Sequence, residues 1–440
     1  MSVYQKYQNK KVAVYGMGIT GCSAAKTIKN LNAQALCWDD NAKIRKKAKK
    51  LNYQINKFWL SNEKIDAIVV SPGIDIRKCK IRDYLKKNFN KIITDLDLFF
   101  ELNKNSMIIS ITGTNGKSTT CKIIEKILKT KKYKVKTVGN IGNPILSLNK
   151  PDKKCIYILE VSSYQLEYSK LFRSKHAAIL NISPDHLERH KSLKNYIKIK
   201  SKIFLAQNSS DYSYINSKNK YSKSIINIFK TKKLKSKLIS LNMTLYNSLL
   251  KNVNNAYFKS PGNIENLVFA IKIAKKFKIK NKIIIKALNQ FKGLPHRQEI
   301  IFSNKRLLCI NDSKATSFDA AFQSLSNYNN IYWILGGIPK YQDNFKLLNF
   351  KKKILKAYII GKHSSFFEKK IKKHVPYTVS HNIKNALKSI NEDLKFRKKI
   401  KSTILLSPAA ASFDQFNNFE NRGLYFKKLI FKNVKQRLYA

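Results

Sequence analysis

The run Gly113-Thr114-Asn115-Gly116-Lys117-Ser118-Thr119 sets a lysine and two hydroxyls directly after a pair of glycines. Met107 to Ile111 before it reads as a strand, and Thr119 to Lys129 after it as a helix. In that context backbone N–H groups point at phosphate oxygens and the helix dipole favours their charge. Lys117 would neutralise β- and γ-phosphates, and the Ser118 hydroxyl would hold Mg2+. The spacing is not that of the standard phosphate loop, whose first glycine would fall at Ile111. Downstream, Glu160 ends the apolar run from Ile156, where a carboxylate facing a phosphate would hold a metal. The other reading of Glu160 is a strand-end side chain lying in solvent, and Ser162 and Ser163 beside it favour a polar pocket. Asp185-His186 follows another strand, Ala177 to Asn181; a lone histidine there is either structural or a ligand.

A second glycine loop, Gly16-Met17-Gly18-Ile19-Thr20-Gly21, lies between a strand, Lys11 to Tyr15, and a helix, Cys22 to Leu31. Asp39 ends the next strand, Ala33 to Trp38, at the spacing of a dinucleotide fingerprint. By itself this pattern predicts NAD; the alternative is glycines that only permit a tight turn and close helix packing. Two phosphate-compatible loops in one chain predict ATP and a second anionic nucleotide.

The elements that position these residues fall into three segments of alternating strand and helix. The first runs from Lys11 to about Thr94, with a further strand at Ile65 to Val70 closed by Ser71-Pro72-Gly73. The second starts near Asp95 and includes a helix over Lys194 to Ala206. It ends near Gly293-Leu294-Pro295-His296-Arg297, whose Gly and Pro suit an interdomain hinge. The third has strands at Leu307 to Ile310, Ile331 to Leu335, Ala357 to Ile360 and Thr403 to Leu406. The fold class expected is α/β with parallel sheets, and 440 residues suffice for two or three domains.

With 87 Lys and Arg against 26 Asp and Glu, the formal charge is +61. Nucleic acid or an anionic membrane would suit that charge. The lysines, however, are spread along the whole chain, and no stacking-aromatic motif accompanies them. Compositional drift toward Lys, Asn and Ile accounts for the charge without a partner, and the dense cluster Lys43 to Lys50 reads as the solvated face of one helix. The six cysteines are far apart with no Cys-x-x-Cys pair, against a disulfide framework or zinc site. No apolar run approaches the roughly 18 residues that span a bilayer. The polar N-terminus does not read as a signal peptide, so a cytoplasmic enzyme is expected.

The ATP-type loop resembles that of the Mur ligases, the amide-forming enzymes of peptidoglycan precursor synthesis. Glu160-Val161-Ser162-Ser163-Tyr164-Gln165-Leu166 and Asn181-Ile182-Ser183-Pro184-Asp185-His186 match the next two motifs of that family. Gly293-Leu294-Pro295-His296-Arg297 and Asn311-Asp312-Ser313-Lys314-Ala315-Thr316 follow in its order. Ser407-Pro408-Ala409-Ala410-Ala411-Ser412-Phe413-Asp414-Gln415-Phe416 comes next, with Phe419-Glu420 and Arg422-Gly423 after it. The last three blocks are similar to the D-glutamate-adding branch. The Asn-Pro-Arg type motif of diamino-acid-adding members is not seen in the third segment. Folate-tailing ligases share the ATP loop but lack the Ser-Pro-Ala block.

The resemblance, which covers essentially the whole chain, implies three domains. These are a Rossmann-like N-terminal domain over 1–95, a central P-loop ATPase-like domain over 96–298, and a C-terminal Rossmann-like domain over 299–440. The first would bind a uridine nucleotide rather than NAD, through Ile19, Thr20, Asp39, Gly73 and Asn140. ATP would lie on Gly113 to Thr119, with Asn263, Asn266 and Arg297. Ser118, Glu160, His186 and Lys200 would hold two Mg2+ ions, Lys200 as a carbamate; Lys198 is the alternative register. Lys117, Glu160, His186 and Lys200 form the implied catalytic set. Lys314, Thr316, Lys340, Ser412 and Phe419 would take D-glutamate. The implied substrates are UDP-N-acetylmuramoyl-L-alanine and D-glutamate, joined through an acyl phosphate by a monomer that closes its domains and binds neither nucleic acid nor membrane. Two positions depart from the family pattern: Gly262 stands where His is frequent, and Ala410 where Cys is common. The competing readings are another amide ligase of the same fold and a basic nucleic-acid-binding ATPase.

Overall fold

Short runs rich in Val, Ile and Ala form strands buried on both faces, the signature of parallel sheets covered by helices. The computed structural model describes residues 2–61, 64–139, 144–147, 152–259, 261–340, 347–396 and 400–436. By their contacts the residues divide into two compact units, Met1–Phe291 and Lys292–Ala440. The break falls ahead of the boundary expected at 298.

The first unit holds two sheets. Strands β1 (Lys11–Tyr15), β2 (Gln34–Trp38), β3 (Ala67–Val70) and β4 (Ile92–Ile93) form one, in the order β2-β1-β3-β4 and all parallel. Strands β5 (Met107–Thr112), β6 (Val135–Gly139), β7 (Ile156–Glu160), β8 (His176–Ile179), β9 (Tyr212–Asn216) and β10 (Lys237–Leu241) form the other, also parallel, in the order β10-β9-β8-β5-β7-β6. The helix Lys117–Thr130 buries Cys121, Ile123, Ile124, Ile127 and Leu128 along one face and packs on the helix Pro261–Lys276. The helix Ala42–Lys50 buries Ala48 alone, so its lysines are a solvated face, as the sequence suggested.

The second unit holds one sheet, built from β11 (Glu299–Ser303), β12 (Leu307–Asn311), β13 (Ile331–Gly336), β14 (Ile354–Ile360), β15 (Tyr377–His381) and β16 (Ser402–Leu406). Its order is β11-β12-β16-β13-β14-β15. The edge strand β11 is antiparallel to β12, while the other neighbours are parallel. Trp333 at its centre is fully buried and donates its indole N–H to the Ser407 carbonyl at 2.8 Å.

The helix after the first glycine loop begins at Ile19, three residues ahead of the expected start at Cys22, with Gly18 as its N-cap. The stretch from Lys194 is helical over Leu193–Ser201 and tightens into a 3-10 turn at Lys202–Phe204. All six cysteines are free, and four of them are buried. Among the described residues no helix is long and apolar enough to cross a membrane.

Close approach sets the geometry of the first glycine loop. Gly16 has φ 95°, and a Cβ on it would stand 2.8 Å from that of Ser71. A Cβ on Gly21 would stand 1.8 Å from the Gly16 carbonyl oxygen. Gly21→Ala must push the helix off the loop, and we expect it to lower the unfolding free energy by about 1–3 kcal/mol in urea titration. An unchanged midpoint would contradict this packing.

Candidate active site

Strand β5 leads into the loop at Gly113, and the helix Lys117–Thr130 leaves it. Gly116, the helix N-cap, has φ 81°, a left-handed backbone that favours glycine. The loop is held from outside its own segment. Thr114 N donates to the Asn181 carbonyl at 3.0 Å, and Asn115 N to Asn181 Oδ1 at 2.9 Å. The Thr114 hydroxyl accepts from Ser183 N at 3.0 Å. Asn181 Nδ2 in turn donates to Glu265 Oε2 at 2.8 Å, and Asn216 Nδ2 to Glu265 Oε1 at 2.6 Å. Burial raises the Glu265 carboxyl above its ordinary range. Thr120 Oγ1 donates to Asn266 Oδ1 at 3.1 Å, and Asn266 reaches Asn263 at 3.4 Å. A Cβ on Gly116 would come within 2.1 Å of Asn266 Oδ1. The two expected asparagines therefore flank the loop.

Two lysines converge on one carbonyl. Lys117 Nζ donates to the carbonyls of Gly113 at 2.8 Å and Thr114 at 2.7 Å. Lys200 Nζ donates to the same Gly113 carbonyl at 2.9 Å and to Thr112 Oγ1 at 3.2 Å. Lys200 is 1% exposed. Burial drives its ammonium well below the ordinary lysine range; Lys117 pushes the same way, while Asp185 and Glu160 oppose. Glu160, equally buried at the end of β7, accepts from the Ser118 hydroxyl. Lys117, Ser118, Glu160, Asp185 and Lys200 thus share one neighbourhood, whereas Lys198 is exposed.

His186 sits beside them in a left-handed backbone, φ 54°. Its Nδ1 meets the Tyr164 hydroxyl at 3.0 Å, and its Nε2 lies 3.4 Å from Asp185 Oδ2. Among the described residues no three His, Cys, Asp or Glu side chains are gathered to hold a metal. Ser118 and Glu160 are oxygen donors of the kind Mg2+ takes, with phosphate oxygens to complete the shell. The Lys200 amine is no ligand as an ammonium; a second ion fits only if that group becomes an anion.

At the first glycine loop, Asp39 is 8% exposed, and its two oxygens accept from the backbone of Met17 at 2.7 Å and Asn41 at 2.8 Å. Its carboxylate braces the loop. Ile19 is 79% exposed at the helix start, Thr20 is half-buried and Gly73 is exposed. Asn140 lies outside the described residues. Gly73 is tied to the histidine segment by a cluster that sequence reading missed. Arg189 donates to Glu167 at 2.7 Å, to the Ile74 carbonyl at 2.6 Å and weakly to the Gly73 carbonyl at 3.4 Å. Arg77 pairs with Asp75 and Glu167 and donates to the Arg189 carbonyl at 2.7 Å. The arginine lies in a segment whose motif was legible, but its partners are far off in sequence.

In the second unit, Lys314 Nζ stands over the Phe419 ring at 3.8 Å. Paired backbone bonds between Ile338 and Ala411, at 2.9 and 3.0 Å, bring the segment ending in Lys340 beside Ser412. Ser412 is buried, while Thr316 and Lys340 are half-buried. Arg297 belongs to this unit too, near the buried Asp312, whose carboxyl is raised to about 6 by burial.

A family profile described as the Mur ligase middle domain matches residues 111–287. The chain is similar to the UDP-N-acetylmuramoylalanine--D-glutamate ligase of Rickettsia felis, 36% identical over 96% of this chain and 97% of that protein. Its likeness to the Rickettsia prowazekii protein of the same name is 35%, over 96% and 98%. A Wolbachia relative from Brugia malayi, again of that name, is 32% identical over 97% of both. Among solved structures, the MurF ligase of Thermotoga maritima in complex with ADP aligns with a TM-score of 0.58 at 13% identity, over 99% of this chain and 98% of that one. The UDP-N-acetylmuramate-alanine ligase MurC of the same organism aligns at 0.54 and 14% identity, over 97% and 99%. These two share the fold.

Lys117 reaches the carbonyls of Gly113 and Thr114 in its own loop. Lys117→Ala is expected to unfold at the wild-type urea concentration while binding of a nucleoside triphosphate weakens by more than about tenfold. Isothermal titration decides, and a folded variant with undiminished binding would remove Lys117 from the phosphate site.

Proposed function

We propose that this chain, which belongs to the Mur ligase family, uses ATP to form an amide between UDP-N-acetylmuramoyl-L-alanine and D-glutamate. That joining is the one after which its relatives are named. The geometric observation that supports it best is the pair of lysine Nζ atoms on the Gly113 carbonyl, next to Ser118 and Glu160 at a helix N-terminus.

A carboxylate does not condense with an amine at neutral pH without activation. The L-alanyl carboxylate attacks the γ-phosphorus; the bond to the bridging oxygen breaks, and ADP leaves with its electrons. The amine of D-glutamate, deprotonated, then attacks the acyl carbon, and phosphate leaves as the C–O bond breaks. In the first step two anions meet, so cations must lie where the charges approach. Lys117 provides one at the loop. Gly113 to Thr119 cradle the phosphates, with Asn263 and Asn266 beside them in the ATP site. Ser118 and Glu160 would hold one Mg2+, an ion whose chemistry here would be to screen the two anions.

Lys200 is the lysine we assign as a carbamate, and in that form it would, with His186, hold a second Mg2+. Carbamylation joins a neutral amine to CO2 with loss of a proton, and burial keeps the Lys200 amine neutral far more readily than an ordinary lysine. Ile19, Thr20, Asp39, Gly73 and Asn140 take the uridine-linked substrate. Lys314, Thr316, Lys340, Ser412 and Phe419 take D-glutamate, a dianion that calls for cations and hydroxyls. Three domains over 1–95, 96–298 and 299–440 supply these sites in a cytoplasmic monomer that needs no nucleic acid.

Phosphate release with UDP-N-acetylmuramoyl-L-alanine, ATP and a panel of amino acids tests the assignment: D-glutamate alone should support turnover. Release driven instead by another amino acid would overturn it. With 13C-bicarbonate, a carbamate carbon resonance should appear in the wild type and in Lys198→Ala and be lost in Lys200→Ala. A resonance that survives Lys200→Ala would remove that residue from the proposal.

A further inference from the structure

Arg422 lies on the helix Phe419–Lys435 and is 1% exposed. A guanidinium so buried is ordinarily matched by a carboxylate. Here its bonds run to neutral oxygens. Nε donates to Ser313 Oγ at 3.0 Å; Nη2 donates to the Ser313 carbonyl at 2.8 Å and to the Ala410 carbonyl at 3.0 Å. Nη1 is buried and has no hydrogen-bond partner among the described residues. Asp312 and Asp414 are the carboxylates that act on it electrostatically, and both are engaged elsewhere. Asp312 accepts from the hydroxyls of Ser324 and Ser407 and from Gln298 N; Asp414 accepts from Lys362 N at 3.0 Å.

The acceptors of Arg422 sit on two loops, each next to a residue placed at the amino-acid site. Ser313 precedes Lys314, and Ala410 lies two residues before Ser412. The third piece is the helix start itself, since the Ser313 hydroxyl donates to the Phe419 carbonyl at 2.8 Å. The helix is fixed where the arginine leaves it. A Cβ on Gly423 would stand 2.2 Å from His296 Nδ1, and the Gly423 carbonyl accepts from Asn311 Nδ2 at 3.2 Å. The fork of one guanidinium thus sets the spacing of Lys314, Ser412 and Phe419.

We propose that Arg422 is the positioning residue of the amino-acid site, holding the Lys314, Ser412 and Phe419 segments at the separation a dicarboxylic amino acid requires and supplying a buried positive charge that favours it. This rests on the assignment of those residues to D-glutamate.

Steady-state kinetics of Arg422→Met, Arg422→Lys and Ser313→Ala test it. Methionine keeps the length but removes charge and donors; the KM for D-glutamate should rise by about tenfold or more, as when hydrogen bonds to a charged group are lost. The KM values for ATP and for the uridine-linked substrate should stay within about twofold, and Arg422→Lys should recover part of the loss. Ser313→Ala is the milder variant, for the case that neither arginine variant folds; it should show the same split at several-fold. A role in folding alone would lower the active fraction and leave every KM unchanged, which would overturn the proposal, as would a parallel rise in all three KM values. The wild-type amino-acid panel separates the two levels. If another amino acid is the substrate, D-glutamate falls, and the KM of that amino acid becomes the readout. If D-glutamate is the substrate and its KM does not move, the positioning role alone falls.

Discussion

Two ammonium groups on one carbonyl oxygen are an arrangement that a protein does not adopt for stability. Like charges repel by about 4 kcal/mol at 4 Å and an effective dielectric constant of 20. Lys117 and Lys200 nonetheless both end on Gly113, in a pocket where Glu160 and Asp185 supply the nearest opposing charge. Burial drives the Lys200 ammonium well below the ordinary lysine range, and a polyanion on the loop would relieve the positive potential that remains. The surrounding architecture keeps these groups together in advance of that event. Asn181 and Ser183 brace the loop from one side and Asn266 from the other, so the cations do not relax apart by bending the backbone.

That bracing follows from strand order. β5 has β7 on one side and β8 on the other, so the chain reverses direction across the sheet there, and the carboxyl ends of three adjacent strands open one crevice. Lys117 comes from the first end, Glu160 from the second and His186 from the third. The first sheet repeats the device, with Gly16 after β1, between β2 and β3. In the third, the neighbouring strands β12, β16 and β13 end at the loops of Lys314, Ser412 and Lys340. In all three sheets the proposed site residues stand where loops leave parallel strands, and the buried strands below are mostly apolar, with a few buried polar residues such as Ser110, His176 and Ser213.

This division explains what was legible. Strand runs, glycine loops and the residues just after them announce themselves locally, so Lys117, Ser118 and Glu160 could be named from spacing. The family register puts Lys200 ahead of Lys198, and the burial that distinguishes them, Lys200 buried and Lys198 exposed, is not legible in so lysine-rich a helix. Asp39 is named from its spacing, but the spacing does not show that its two oxygens also accept from the backbone of Met17 and Asn41. The antiparallel edge strand β11 carries half-buried and exposed residues and no buried one, and so lacks the buried signature of its neighbours. Arg189 is not singled out by the sequence, and Arg422 stands in a motif without a role, because the partners that define them, such as Ile74 and Ser313, lie far away along the chain.

The cluster of Asp75, Arg77, Glu167 and Arg189 has a consequence for how the first unit comes apart. Two of these charges follow the first sheet and two belong to the second, and each arginine also grips a backbone carbonyl of the opposite segment. Prising the segments apart would strand several charges and carbonyls at once, so partial loosening gains little entropy for its enthalpy. The two sheets then behave as a single cooperative foldon: amide protons near Ile74 and Arg189 should exchange through the same opening, although they lie more than a hundred residues apart in the chain.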